Sequence, residues 1–266
     1  NSTNQNILVT VPIDNDSSLI DGAVQILIKF DSSSDTLEVG DAVTIAESNI
    51  NDTLVVTISR IEFVNSQHYN EGTTALFTAR INDFAGYTRI GTASNDQLQI
   101  DQTGPVIDSI AVESDNLFSN QGARSGDDVL ITFRAQEEIM TPFVLIAGDT
   151  ADDITRIGDI WIATRTMDSS DMEGIVTFNF TPQDLAGNPG GASNQSTDGS
   201  RVIYDNSVPF INYIYECSVT EDKDYTPSAD TLRLGMDGGD LLSGILRFYF
   251  AIGTSPGVGN VIPWAY

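Results

Sequence analysis

From residue 6 onward the chain is a succession of short apolar runs divided by clusters of Asp, Asn, Ser and Gly. Ile7-Leu8-Val9-Thr10-Val11 and Val24-Gln25-Ile26-Leu27-Ile28-Lys29-Phe30 are rich in β-branched residues and alternate in part between apolar and polar positions. A period of two marks a strand with one buried face. Runs at 43–46, 54–63, 75–81 and 98–100 follow the same habit, and no longer window carries a helical period with caps. About seven short strands in roughly 100 residues predict a β-sandwich.

Residues 105–208 repeat the plan. A run at 106–112 is followed by Asp127-Asp128-Val129-Leu130-Ile131-Thr132-Phe133-Arg134-Ala135, by 143–147, by 160–167 with Trp161, and by the clean alternation of Ile175-Val176-Thr177-Phe178-Asn179-Phe180. The run at 201–204 closes the set. Their apolar residues, Trp161 included, are read as core. Three landmarks recur in order: Glu71-Gly72, Asp83-Phe84-Ala85-Gly86 and Asp101-Gln102-Thr103-Gly104-Pro105, then Glu173-Gly174, Asp184-Leu185-Ala186-Gly187 and Asp205-Asn206-Ser207-Val208-Pro209. Glu71 and Pro105 stand 34 positions apart, Glu173 and Pro209 36. Recurrence at near-constant spacing is a tandem repeat. It predicts an all-β chain with one sandwich at 1–104, a second at 105–208, and a partial third at 209–266 joined by short proline connectors.

The string Trp161 to Gly174, with Val176-Thr177-Phe178, Asp184 to Asn188 and Tyr204 to Pro209, resembles the Ig-like repeats of large bacterial and archaeal cell-surface proteins and adhesins. Phe248 to Trp264, with its Ala251-Ile252-Gly253-Thr254-Ser255-Pro256-Gly257 run, resembles the fibronectin type III-like modules of such proteins. The first repeat matches only at its three landmarks, and has Tyr87 where the second has Asn188. The resemblance implies an extracellular, multidomain, non-enzymatic surface protein, often with calcium at domain boundaries. Folds of this kind host many roles, so it bears on architecture more than on function.

Composition narrows the partners. Twelve Lys and Arg face 38 Asp and Glu, a formal charge of −26. Such a surface repels nucleic-acid phosphates and anionic lipid and attracts cations. Many of the acids are aspartates in loop-like clusters, the short carboxylates that oxygen-coordinated calcium takes. Solvated surface charge, or adaptation to a salty medium, produces the same composition. The lone cysteine, Cys217, rules out an intrachain disulfide. No stretch approaches the roughly 20 apolar residues of a membrane-spanning helix. The chain begins at Asn1 without a Met and ends at Tyr266 inside a strand-like pattern, which predicts a segment of a longer protein.

In a sandwich of this topology Glu71 and Asp101 belong at the lower pole of the first domain. Asp184 and the Glu137-Glu138 turn belong at the upper pole of the second, so that all can face one junction. By the same logic Asp171, Glu173 and Asp205 would meet Asp237 and Asp240 of the third. Two to four carboxylates with carbonyls and waters complete a calcium shell of six to eight oxygens. A bound ion would cancel like-charge repulsion and stiffen the junction. Equally, these aspartates can cap turns by accepting from nearby backbone amides.

Catalysis finds little support. The single histidine, His68, sits in a polar loop without a nucleophile motif, and there is no phosphate-binding glycine loop or metal-hydrolase His pair. Asn-x-Ser/Thr sequons at Asn1, Asn15, Asn51, Asn179 and Asn194 are acceptor sites only where the source glycosylates its surface proteins. The expectation is a structural stalk, fibre or adhesin shaft at the cell surface, in contact with other copies or other domains of the same protein. Two alternatives remain: a surface-layer lattice subunit, and an accessory carbohydrate-binding region presenting Tyr213 and Tyr215 as an aromatic platform.

Overall fold

The computed structural model describes residues 6–216, 231–255 and 257–265; Asn1, Cys217, Pro256 and Tyr266 lie outside them. The chain is nearly all β, in several antiparallel sheets, as the alternating pattern requires. It divides into two compact units. Unit 1 holds residues up to Val106 together with Glu137–Met140 and Pro182–Gly191; unit 2 holds the remainder, residues 209–265 among them. Two loops that belong by sequence to the second repeat therefore fold with the first.

In unit 1, β1 (Asn6–Ile13) pairs antiparallel with β4 (Asp52–Ser59). The facing sheet places β2 (Ala23–Phe30) between β3 (Thr36–Thr44) and β5 (Thr74–Asn82), and β5 also pairs with β6 (Thr88–Ile90) and β7 (Leu98–Gln99). The alternation reads directly onto the packing. Val11, Ile13, Leu54, Val56 and Ile58 from one sheet meet Val24, Ile26, Ile28, Phe30 and Val39 from the other, each buried. Every such side chain contributes about 1.5–3 kcal/mol when fully buried. The run read as one strand over 54–63 instead ends at Ser59, whose Oγ accepts from the Glu62 N–H at 3.2 Å and opens the short helix α1 (Arg60–Val64). A serine cap is a sufficient cause, and the helix turns Phe63 into the core.

Unit 2 carries β8 (Ile107–Ser114), β9 (Gly122–Ala123), β10 (Asp128–Ala135), β11 (Val144–Ile146), β12 (Asp149–Thr150), β13 (Asp153–Ile157), β14 (Ile160–Thr166), β15 (Gly174–Ile175), β16 (Phe178–Phe180) and β17 (Ile203–Tyr204). Its sheets run β13-β14-β10-β8, β12-β11-β16 and β15-β17-β9. Phe133 lies 4.3 Å from Phe180 and 6.4 Å from Trp161 between ring centres, at the middle of the core. The buried Arg165 is held by Asp171 through two bonds of 2.8 and 2.9 Å and by Asp149 at 3.0 Å. Tyr204 is buried, and its hydroxyl donates to the Asp168 carbonyl. Further on, β18 (Phe210–Glu216) pairs with β19 (Leu234–Gly239), and β20 (Phe250–Ile252) with β21 (Ile262–Ala265).

Candidate metal centre

The two proline connectors share one hydrogen-bond frame. In the first, Asp101 Oδ1 accepts from the Thr103 N–H at 3.3 Å, while Glu71 accepts from the Gln102 N–H at 2.6 Å and the Thr103 hydroxyl at 3.4 Å. In the second, Asp205 Oδ1 accepts from the Ser207 N–H at 3.0 Å, while Glu173 accepts from the Asn206 N–H at 3.0 Å and the Ser207 hydroxyl at 2.8 Å. The aspartate closes an Asx turn and the glutamate, anchored at the start of a strand, bridges to the next amide. The repeat seen in sequence is thus a repeat of local construction.

The first connector is joined by two further acids that converge with it. Asp101, Glu137 and Asp184 bring one carboxylate oxygen each within 4.8 Å of the others, the one such trio among the described residues. All three lie in unit 1. Asp184 is held by its own turn: the Gly187 N–H donates to its carbonyl, and the Asn188 N–H to its Oδ1 at 2.8 Å. The 137–140 segment is registered beside that turn by the Ile139–Asp184 bridge and by the Met140 N–H bond to the Gln183 carbonyl.

Electrostatics mark the trio. Burial, then the Asp184 charge, pushes Asp101 above its ordinary value. Burial, then the charges of Asp101, Asp184 and Glu71, does the same to Glu137. Asp171, by contrast, is paired with Arg165. Oxygen atoms 4.8 Å apart or closer can touch one ion with metal–oxygen distances of 2.3–2.6 Å, and an all-carboxylate donor set suits calcium or magnesium. The residues therefore fit a hard divalent cation. Glu71, the fourth acid expected there, is committed to the connector amide and acts on the trio through its charge.

The second set does not converge in the same way. Asp171 is engaged by Arg165 and by the Asp168 N–H at 2.7 Å, which leaves it little use as a cation ligand. Asp240 caps the amides of Leu242, Ser243 and Gly244, and those backbone bonds hold its carboxyl below the ordinary value. Asp205 Oδ2 accepts from the Ser243 N–H at 2.9 Å, and Asp237 accepts from the Asn212 amide at 3.1 Å. Here the turn-capping reading describes the geometry.

Three residues that matter to the first site carried no signal as ligands. Asn188 Nδ2 donates to Asp184 Oδ2 at 2.8 Å and to the Asp101 carbonyl at 3.0 Å, joining turn to connector. Gly104 and Gly190 let two backbones meet: a Cβ on Gly104 would collide with the Pro189 carbonyl, and one on Gly190 with the Pro105 carbonyl. The Asn that follows Ala-Gly in the second repeat, and the Tyr87 that replaces it in the first, were the visible traces. Elsewhere, His68 is half-buried at φ 77°, not an exposed loop residue, and its Nε2 has no partner. Tyr213 and Tyr215 stack on each other at 5.7 Å, which occupies part of the ring faces a sugar would need. No protein-family model matches the chain, and no curated protein matches it.

Proposed function

We propose that residues 1–266 are a structural segment of a large extracellular surface protein, a stalk, fibre or adhesin shaft of Ig-like sandwiches whose first connector is stiffened by calcium. The observation that carries the reading is the connector frame, built twice from a glutamate, an aspartate and two small polar residues ahead of a proline. A chain that spends carboxylates on fixing the backbone between successive repeats limits flexion there. A cation on Asp101, Glu137 and Asp184 would tie the connector, the 137–140 segment and the 184–188 turn together, offsetting both the burial and the like charge that raise Asp101 and Glu137. The acidic surface discourages collapse and pairing of exposed strand edges between neighbours. Calcium-dependent scattering and sedimentation of residues 1–266 test this. A shaft segment stays monomeric and becomes stiffer with calcium; large assemblies on calcium addition would instead support a surface-layer subunit.

A further inference from the structure

The two units are not equally complete. The landmarks align their strands: β5 follows Glu71-Gly72 and pairs with β7 just ahead of Asp101, as β15 follows Glu173 and pairs with β17 just ahead of Asp205. β5 also pairs with β2, as β16 pairs with β11, so β2 answers to β11. β4 and β14 are the strands that precede the Glu-Gly landmarks, and each pairs with the strand that comes just before β2 or β11 in the chain, β1 and β10. β1 is therefore the counterpart of β10. In unit 2, β10 has a partner on both edges, β14 and β8, and β17 pairs in parallel with β9. In unit 1, among the described residues, β1 pairs with β4 alone and β7 with β5 alone. The two strands without a counterpart, β8 and β9, are consecutive in the chain.

Burial agrees. The inward residues of β10, Val129, Ile131, Phe133 and Ala135, are all buried, and its outward Leu130 and Thr132 are half-covered. On β1 the inward Ile7 and Val9 are only half-buried, and the outward Leu8, Thr10 and Pro12 are exposed. Phe77, Ala79 and Ile81 of β5, packed on the same core, are also only half-buried. Between these elements runs an open groove of about 440 Å³, lined by Val9, Val11, Phe77, Ala79, Ile81 and Arg89 among others. A free strand edge beside an uncovered apolar seam is a template for strand addition.

We infer that unit 1 takes up an extended peptide strand along the free edge of β1 and on beside β7, in the position that β8 and β9 hold in unit 2. The occupant is a segment with the chemistry of 107–123. It has eight extended residues with apolar or small side chains at alternate positions, as Ile110, Val112 and Ser114 are buried on β8, and then a small-residue strand like Gly122-Ala123. It pairs antiparallel with β1 and then parallel with β7. The described strands of the chain already hold places in sheets of their own, so the occupant is a separate peptide strand. A second copy is the weaker occupant, because two chains each carry −26.

The test is residue-resolved amide exchange and chemical-shift mapping of residues 1–266, with and without a synthetic peptide of sequence 105–124. Without peptide, alternate amides of β1 exchange fast while those of β10 are protected throughout. Millimolar peptide slows the fast β1 set about tenfold or more and shifts residues 6–13 and 98–99. The inference is overturned if β1 is already fully protected in the monomer. It is equally overturned if the peptide leaves β1 and β7 unmoved or shifts only 128–135 by exchanging with the chain's own β8. Protection of β1 that depends on protein concentration without peptide would assign the edge to a second copy and also overturn it.

Discussion

Asp101–Pro105 and Asp205–Pro209 fix their backbones with the same pair of acidic side chains, yet different loops meet them: the Pro189–Gly190 backbone lies on the first, and the Ser243 N–H reaches Asp205 of the second. One difference lies at a single position. Gly104 lets the Pro189–Gly190 backbone lie against the first connector, whereas Val208 holds the equivalent place in the second and is 84% exposed. Close approach brings Asp184 and Glu137 to Asp101; at the second connector Asp205 and Asp240 share the Ser243 N–H and act as turn caps. A shared local frame therefore does not make a shared site. What makes the first a candidate cation centre is that two further segments bring carboxylates within 4.8 Å of Asp101.

The strongest way to break the contrast is to make the first connector like the second. Gly104→Val drives a side chain into the Pro189 carbonyl, backbone that cannot yield cheaply, and is expected to cost about 3 kcal/mol or more. Val208→Gly, in open surroundings, is expected to cost about 0.5–1 kcal/mol at most, through chain entropy. Denaturant midpoints of the two variants check this. Equal losses would mean that the close approach at Gly104 is not what distinguishes the connectors.

A smaller effect sharpens it through pH, because Asp101 and Glu137 are shifted in the opposite sense to Asp240. In the folded chain Asp101 and Glu137 lie above their ordinary values of 3.8 and 4.5. The folded state thus binds protons that the unfolded chain does not. Their contribution to stability grows as pH falls through the raised values and levels off below the ordinary ones. Asp240 lies below 3.8, so its contribution is present above that value and is lost as pH falls through the lowered one. Without divalent cation, acidification from neutral toward about pH 5 should raise the melting temperature, and Glu137→Gln should flatten that rise. Removing this exposed charge should itself change neutral stability by less than about 1 kcal/mol. Asp240→Asn should act only in the more acidic range. A rise that Glu137→Gln leaves intact would assign it to the general negative charge.

Much of this was legible in the chain. Period-two runs at 24–30 and 127–135 became β2 and β10, and the run at 175–180 was divided between β15 and β16 with Val176, Phe178 and Phe180 buried and Ile175 exposed, because a pleated strand with one covered face buries alternate residues. The landmark spacing foretold two connectors built alike. Asp101, Glu137 and Asp184 were expected to meet, and do; Glu71 was expected with them and is occupied by the Gln102 amide and the Thr103 hydroxyl. Asp171 could not be separated from the ligands by sequence, since its partner Arg165 lies on β14 and reaches it only through the fold. Gly104 and Asn188 were missed as site residues for a related reason. Their roles are a near-collision and a bridging amide, which depend on two loops distant in sequence. The free edge of β1 needed the pairings of both units side by side.

The most direct test of the account is calorimetric titration of calcium into residues 1–266, set beside Glu137→Gln and Asp240→Asn. The account predicts saturable binding that Glu137→Gln abolishes or weakens by at least about tenfold, as expected when a direct ligand is lost, and that Asp240→Asn leaves unchanged. Binding that survives Glu137→Gln, or no binding by the unaltered chain, would contradict it and leave the trio as a strained cluster of turn carboxylates.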